Sequence, residues 1–245
     1  MKSISDKKII LEDGKEITSF DFIVVTTGSH YDLKQLNIKD DDKTIPVVNG
    51  ISLDSLSKSM KFISDAKKIA VIGTGPVGVE ILGSLVHRYP EKEFHVIGCH
   101  DKFMARAAPK AHEPILKFYK DKSNINLHMN QKVTGIANDI ITTNKEEIQV
   151  DLVIACTGFK PISGPIKMGL PDCVNNEGYV IVNKSCQVEG FDNIFAIGDI
   201  TCFQEEKLAI SAEMHADIAI QNIGKVITGQ KLSTYTPSSK RPMVS

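Results

Sequence analysis

Short unbroken apolar runs alternate along this chain with stretches whose apolar residues recur at helical spacing. Ile69 to Ile72 is one such run, the pattern of a strand buried on both faces. A glycine-rich turn follows. Val77, Ile81, Leu82, Leu85 and Val86 then recur with helical period, Pro90 interrupts, and Phe94 to Ile97 resumes as a second strand. Phe20 to Val25, Leu152 to Ala155 and Ile194 to Ile197 read as further buried strands. Each runs into small or turn-forming residues: Thr26-Thr27-Gly28, Cys156-Thr157-Gly158 and Gly198-Asp199. The segments 22–28 and 152–158 are the nearest approach to an internal repeat, and imply two nucleotide-handling sheets. Strands alternating with helices predict an α/β fold.

The remaining segments are less regular. Apolar residues flank Glu12-Asp13-Gly14, which predicts a β-hairpin near the amino terminus. Residues 29–65 are polar and poorly periodic; the acidic run Asp40-Asp41-Asp42 reads as a solvated loop, and Ser55 to Ser64 as a short helix. Pro109 to Lys122 predicts a helix whose Lys117, Lys120 and Lys122 form a solvated face. Residues 125–150 alternate in short segments, predicting a meander on the edge of the nucleotide unit with His128 facing solvent. A last helix spans about Lys207 to Ile227, with Ala209, Ala212, Ala216, Ile220, Ile223 and Ile227 as its packing face.

Composition narrows the function classes. A net charge of -1 with evenly mixed signs gives no argument for a nucleic-acid surface. Cys99, Cys156, Cys173, Cys186 and Cys202 have no CxxC or Cys/His spacing, which fits reduced cytoplasmic thiols better than a disulfide framework or metal centre. No apolar run is long enough to span a bilayer, and the first residues do not read as a signal peptide.

The chemistry concentrates at Gly73-Thr74-Gly75-Pro76-Val77-Gly78. A GxGxxG turn between strand and helix suits a dinucleotide pyrophosphate. Gly73 turns the chain, Gly75 lets amides approach the phosphates, and Gly78 brings the helix close to the strand. The carboxylate that usually binds the ribose, about twenty residues further on, is replaced by Gly98-Cys99-His100. That substitution removes repulsion against a 2′-phosphate, which His100, Lys102 and Arg106 would attract, so NADPH is expected alongside NADH. At the other end, Asp199 is placed to accept hydrogen bonds from ribose or ribityl hydroxyls. The alternative for it is a helix cap. Lys207 and the helix start would stabilise negative charge on a reduced flavin.

GTGPVGVE (73–80), the two Thr-Gly strand ends and NIFAIGDI (193–200) resemble the FAD- and NAD(P)-dependent pyridine nucleotide-disulfide oxidoreductase superfamily. YPEKEFHVI (89–97) and residues 207–239 are similar to its apoptosis-inducing-factor-like branch. The resemblance implies a Rossmann-like NAD(P)-binding domain (66–158) inserted into a partial FAD-binding domain (1–65 and 159–245). It also implies hydride transfer from NAD(P)H to FAD and on to a quinone-type acceptor, with peripheral membrane association open. By the same resemblance Gly73, Gly75, Pro76 and Gly78 hold the NAD(P) pyrophosphate, and Glu80 lies near the nicotinamide. Thr27 and Gly28 lie by the FAD, Gly158 at the interdomain crossing, Asp199 on the ribityl chain and Lys207 near the isoalloxazine. The absence of CxxC agrees with a quinone rather than a disulfide as acceptor. Family members begin with an FAD-binding GxGxxG, which is missing before Gly28, and continue past the position of Ser245. The chain therefore reads as the middle and later part of such an enzyme, with a weakened hold on FAD. The alternative from another class is a non-catalytic NAD(P)-binding or interaction protein.

Overall fold

The computed structural model describes residues 1–39, 44–48, 53–105 and 109–237. Its strands are β1 (Ser3–Ile4), β2 (Ile9–Ile10), β3 (Glu16–Ile17), β4 (Ile23–Val25), β5 (Ser29–Tyr31) and β6 (Val47–Val48), followed by helix α1 (Leu53–Asp65). Then come β7 (Lys68–Ile72), α2 (Pro76–Arg88), β8 (Glu93–Gly98), α3 (His112–Lys120) and β9 (Ile125–Met129). β10 (Val133–Ala137), β11 (Ile140–Thr143), β12 (Glu147–Gln149) and β13 (Leu152–Ala155) precede β14 (Phe159–Pro161), α4 (Gly164–Gly169), β15 (Ile194–Ala196) and α5 (Ala209–Thr228).

The chain forms two compact units. One takes Met1–His30 and the described residues from Phe159 onward; the other, Tyr31–Gly158, is inserted between those two pieces. The crossing into the inserted unit therefore lies at 30/31, not at the expected 65/66. The reason is packing: Leu36 is 3% exposed and joins Ile38, Ile45 and Val47 in the core of the inserted unit. The apolar residues of 31–48 are too few and too widely spaced to show a period. The acidic run Asp40-Asp41-Asp42 lies outside the described residues.

The inserted unit is built on a five-stranded parallel sheet in the order β6-β13-β7-β8-β9. Successive residues of β7 face opposite layers, as the pleat requires. Ile69 and Val71 meet Leu82, Leu85 and Val86 of α2 and Tyr119 of α3. Ala70 and Ile72 pack with Val133, Ile136, Ile141 and Ile148 of the antiparallel sheet β10-β11-β12. Helices thus cover one face and a small sheet the other, which explains the unbroken apolar run of β7. The expected meander is therefore β10-β12 alone. Ile125–Met129 is the edge strand of the parallel sheet, paired with β8.

In the first unit β1-β2-β3 form an antiparallel sheet, with Gly14 at φ +84° in the β2–β3 turn. β4 pairs in parallel with β15, register Val25↔Ala196, and β5 pairs with β14. Ile23, Val25, Ile194, Phe195 and Ile200 are buried in one core with Ala219 of α5 and Tyr235. The strand expected over Phe20–Val25 is confined to Ile23–Val25, and Val24 is 41% exposed.

The last helix starts at Ala209, and its fully buried residues are His215, Ala219 and Asn222; of the expected row, Ile223 packs against this core and Ala212 and Ala216 are half-buried, whereas Ala209 is exposed. Ile220 and Ile227 are each 69% exposed. Asn222 keeps its place by donating to the carbonyls of Ser185 (3.0 Å) and Ser233 (2.9 Å) and accepting from Ser233 N–H (2.7 Å). A buried polar side chain is ordinarily hydrogen-bonded in this way. Among the described residues no helix is long and apolar enough to cross a membrane.

Candidate functional site

The turn between β7 and α2 brings Gly73, Gly75, Pro76 and Gly78 together, and its glycines differ in what they leave room for. Gly73 sits at φ +117° and donates its N–H to Ile97 O (2.9 Å). A β-carbon there would collide with the carbonyl of Cys156 at the end of β13. A β-carbon on Gly78 would collide with the carbonyl oxygen of Gly73. Both are bare so that the fold can close. Gly75 is different: a β-carbon on it would meet nothing within 4 Å, and its φ of -78° is open to any residue. It is the N-cap of α2, contributes no side-chain cap, and precedes Pro76 at the first helical position. The N–H groups of a helix's first turn have no partner within the helix and carry its positive dipole end.

Nearby donors continue this edge. Thr157, just past β13, has its hydroxyl oxygen buried without a hydrogen-bond partner among the described residues. Buried polar atoms are seldom left so. Burial pushes the neighbouring Cys156 thiol up to about 11, which removes it as a nucleophile. Gly158 ends the inserted unit at φ +92°. Across the edge, β8 ends at Gly98, where a β-carbon would lie 2.7 Å from Cγ2 of Thr74. Cys99, His100 and Lys102 beyond it are exposed, and no carboxylate stands at the strand tip. Thr74 ties this segment to the turn: its hydroxyl donates to Lys102 O (3.3 Å) and its carbonyl accepts from Met104 N–H (2.8 Å). Glu80 lies on α2, exposed, one turn past Pro76. Arg106 lies outside the described residues.

The first unit gathers a second set. Because β4 and β15 run parallel, Thr27-Gly28 and Gly198-Asp199 leave the same carboxyl edge. Thr27 Oγ1 donates to Ile162 O (2.7 Å), and Gly28 adopts φ +66° with open space where a β-carbon would stand. Ser29 Oγ donates to Asp199 Oδ2 (2.8 Å), engaging one of the two carboxylate oxygens. Asp199 is not the cap of α5; that position is Leu208, which makes no side-chain cap bond. Lys207 Nζ donates to the carbonyls of Thr201 and Phe203 (2.8 Å each) and lies 5.2 Å over the Tyr179 ring. Burial lowers its proton affinity, which Glu205 and Asp199 partly restore.

Two groups of residues here belong to no motif in the sequence. One is His215 with Glu205 and Tyr235 beneath the Gly198 turn. The other is the stacked pair His95 and His128, ring centroids 5.2 Å apart, with His95 Nδ1 and His128 Nε2 at 3.0 Å. His128 is therefore half-buried in a polar chain rather than solvent-facing. Lys117 and Lys120 are exposed as expected, whereas Lys122 is half-buried with its ammonium 4.6 Å over the Phe118 ring.

A family model described as pyridine nucleotide-disulphide oxidoreductase matches residues 2–222. The chain belongs to this family. Among curated relatives, it is 29% identical to ferroptosis suppressor protein 1 of Xenopus tropicalis, over 99% of this chain and 66% of that protein. It is also 29% identical to apoptosis-inducing factor homolog A of Dictyostelium discoideum, over 93% of this chain and 60% of that one. The chain thus spans just under two thirds of these relatives' length. Among solved structures, a water-forming NADH oxidase from Lactobacillus brevis, bound to NADH, superposes with a TM-score of 0.80 at 21% identity. That match covers 95% of this chain and 53% of the oxidase. A ferredoxin reductase from Rhodopseudomonas palustris gives 0.71 at 20% identity, covering 96% and 58%. These likenesses establish a fold of the pyridine nucleotide-disulphide oxidoreductase type, and the family is one of flavoenzymes that use a pyridine nucleotide.

Proposed function

We propose that this chain binds NAD(P)H at the β7–α2 turn and serves an NAD(P)H-dependent flavin oxidoreductase with a quinone-type acceptor. The observation that carries the reading is the space at Gly75: two of the three glycines are bare because protein atoms press on them, and the third because nothing does. A diphosphate fits that space, since amides of the first helical turn and the dipole would meet it there. The orphaned Thr157 hydroxyl supplies a further donor on the same sheet edge.

Gly73, Pro76 and Gly78 shape the phosphate turn. His100 and Lys102 would attract a 2′-phosphate, and Glu80 would face the nicotinamide end. For flavin, Thr27 and Gly28 would give bare backbone, and Asp199 would accept from a ribityl hydroxyl. Gly28 and Asp199 fit this role: Gly28 leaves open space, and Ser29 fixes the carboxylate. Lys207 and the uncapped start of α5 would oppose negative charge on the reduced ring. Flavin, when bound, takes the hydride and passes on the electrons. A quinone-type acceptor is what the family resemblance implies, and the lack of a CxxC pair agrees with it.

The test is reduction of ferricyanide and of a soluble ubiquinone analogue by NADH and by NADPH, after the protein is incubated with FAD and desalted. Flavin-dependent turnover with both acceptors is expected. Binding of NADH without turnover in either assay would contradict the enzymatic reading.

A further inference from the structure

Beneath the Gly198-Asp199 turn lies a buried chain of hydrogen bonds that the cofactor assignment does not use. Gly198 N–H donates to His215 Nδ1 (3.1 Å), so this ring nitrogen carries no proton. The proton is then on Nε2, which donates to Glu205 Oε1 (2.9 Å). Glu205 Oε2 accepts in turn from the Tyr235 hydroxyl (2.6 Å). The His215 and Glu205 side chains are each 1% exposed. The imidazole is clamped between Phe203, at 4.8 Å, and Tyr235, edge-on at 4.4 Å. Tyr235 is itself anchored, its N–H donating to Lys184 O (2.7 Å). The ring therefore has one position and one tautomer.

Gly198 needs that partner. It sits at φ +75°, and its N–H begins the turn that presents Asp199. We infer that His215 is a positioning residue: its neutral ring holds the Gly198-Asp199 turn by Nδ1, and protonation of that nitrogen releases the turn and weakens flavin binding. An imidazolium has only N–H donors, so it cannot accept from Gly198. The charged groups around the ring are Glu205 and Asp199, which favour its protonation, and Lys207, which opposes it. Among the described residues the Tyr235 hydroxyl also faces the ring, and the Cys186 thiol acts on Glu205 and Tyr235 behind it. Burial outweighs the carboxylates and keeps the ring neutral at neutral pH. The flavin half of the inference rests on the role proposed for Asp199; the hold on Gly198 does not.

The experiment follows amide hydrogen exchange of Gly198 in the full chain by NMR as pH falls from about 7.5 to about 5, across the histidine range. Ala196 N–H, bonded to Cys186 O at 3.0 Å and independent of His215, is the internal reference. Protection of Gly198 relative to Ala196 should fall about tenfold on acidification, the scale of one lost hydrogen bond. Added FAD should bind correspondingly more weakly, while NADH affinity stays unchanged. His215→Leu should lose the protection at every pH. His215→Gln, whose carbonyl oxygen can accept from Gly198, should keep it and abolish its pH dependence. Equal protection in His215→Leu and wild type, or a pH-independent ratio in wild type, would overturn the inference. Should His215→Leu fail to fold, the wild-type profile and His215→Gln decide. If wild type binds no FAD at any pH, the flavin half falls, and the Gly198 ratio still judges the hold on the turn.

Discussion

A β-carbon on Gly78 would overlap the carbonyl oxygen of Gly73, so the first turn of α2 and the end of β7 touch backbone to backbone. That contact brings the helix start down to the sheet edge. Gly78→Ala should therefore destabilise the chain by about 1–3 kcal/mol, the usual cost of forcing atoms into a packed contact. Urea denaturation checks it, and a midpoint equal to wild type would contradict it.

Asp151 ties two central strands together. Its Oδ2 accepts from the N–H groups of both Lys67 and Lys68 at 2.8 Å, just where β7 begins beside β13. Asp151→Ala leaves two donors for water to satisfy, and the exposure of the pair keeps the loss to about 1 kcal/mol. Thermal unfolding of Asp151→Ala beside Asp151→Asn, which keeps an acceptor oxygen, should place the asparagine variant between alanine and wild type.

Acid should weaken the fold in two windows. Burial, and after it the charge of His128, holds the proton affinity of His95 below the ordinary histidine value of 6.5. As pH falls below that value the unfolded chain takes up a proton that the folded chain refuses, so stability declines until the lowered folded value is reached. Glu146, lowered by hydrogen bonds from Gln131 and His128, adds stability that is lost as pH falls below its ordinary 4.5. His95→Gln should flatten the upper part of the stability curve and leave the lower part in place. Denaturant titrations at a series of pH values would show this; an unchanged slope above the carboxylate range would contradict it.

Cofactor preference should be loose. With exposed Cys99 and His100 where a ribose-binding carboxylate usually stands, Asp101 only beyond them, and Lys102 tied to the turn through Thr74, the tip of β8 itself carries no carboxylate to repel a 2′-phosphate. NADPH should bind within about tenfold of NADH, or about 1.4 kcal/mol. His100→Ala with Lys102→Ala should weaken NADPH alone. Strict selectivity for NADH in a calorimetric titration would contradict this.

The nucleotide turn was legible because its requirements are local: one residue type, at fixed spacing, between two apolar runs. The same holds for the hairpin around Gly14 and for the Thr-Gly and Gly-Asp strand ends. The buried face of α5 was legible only in part, at Ile223, because His215 and Asn222 count as polar in any periodicity. Their bonds to Gly198, Ser185 and Ser233 come from residues far along the chain. His128 misled for a similar reason. Its alternation with apolar neighbours in β9 predicted a solvent-facing ring, yet His95 and Glu146 close over it. Residues 31–48 gave no period because two-residue β6 is held by the neighbouring β13, not by its own pattern.

The central claim is that Gly75 is bare for a ligand and not for the fold. The direct measurement is an NADH titration of wild type, Gly75→Ala and Gly75→Val by calorimetry, with melting temperatures recorded alongside. The φ of -78° and the open space admit both side chains, so melting temperatures should match wild type. Filling the phosphate space should weaken NADH binding about tenfold for alanine, or about 1.4 kcal/mol, and more for valine. Undiminished NADH affinity in a folded Gly75→Val protein would contradict the account.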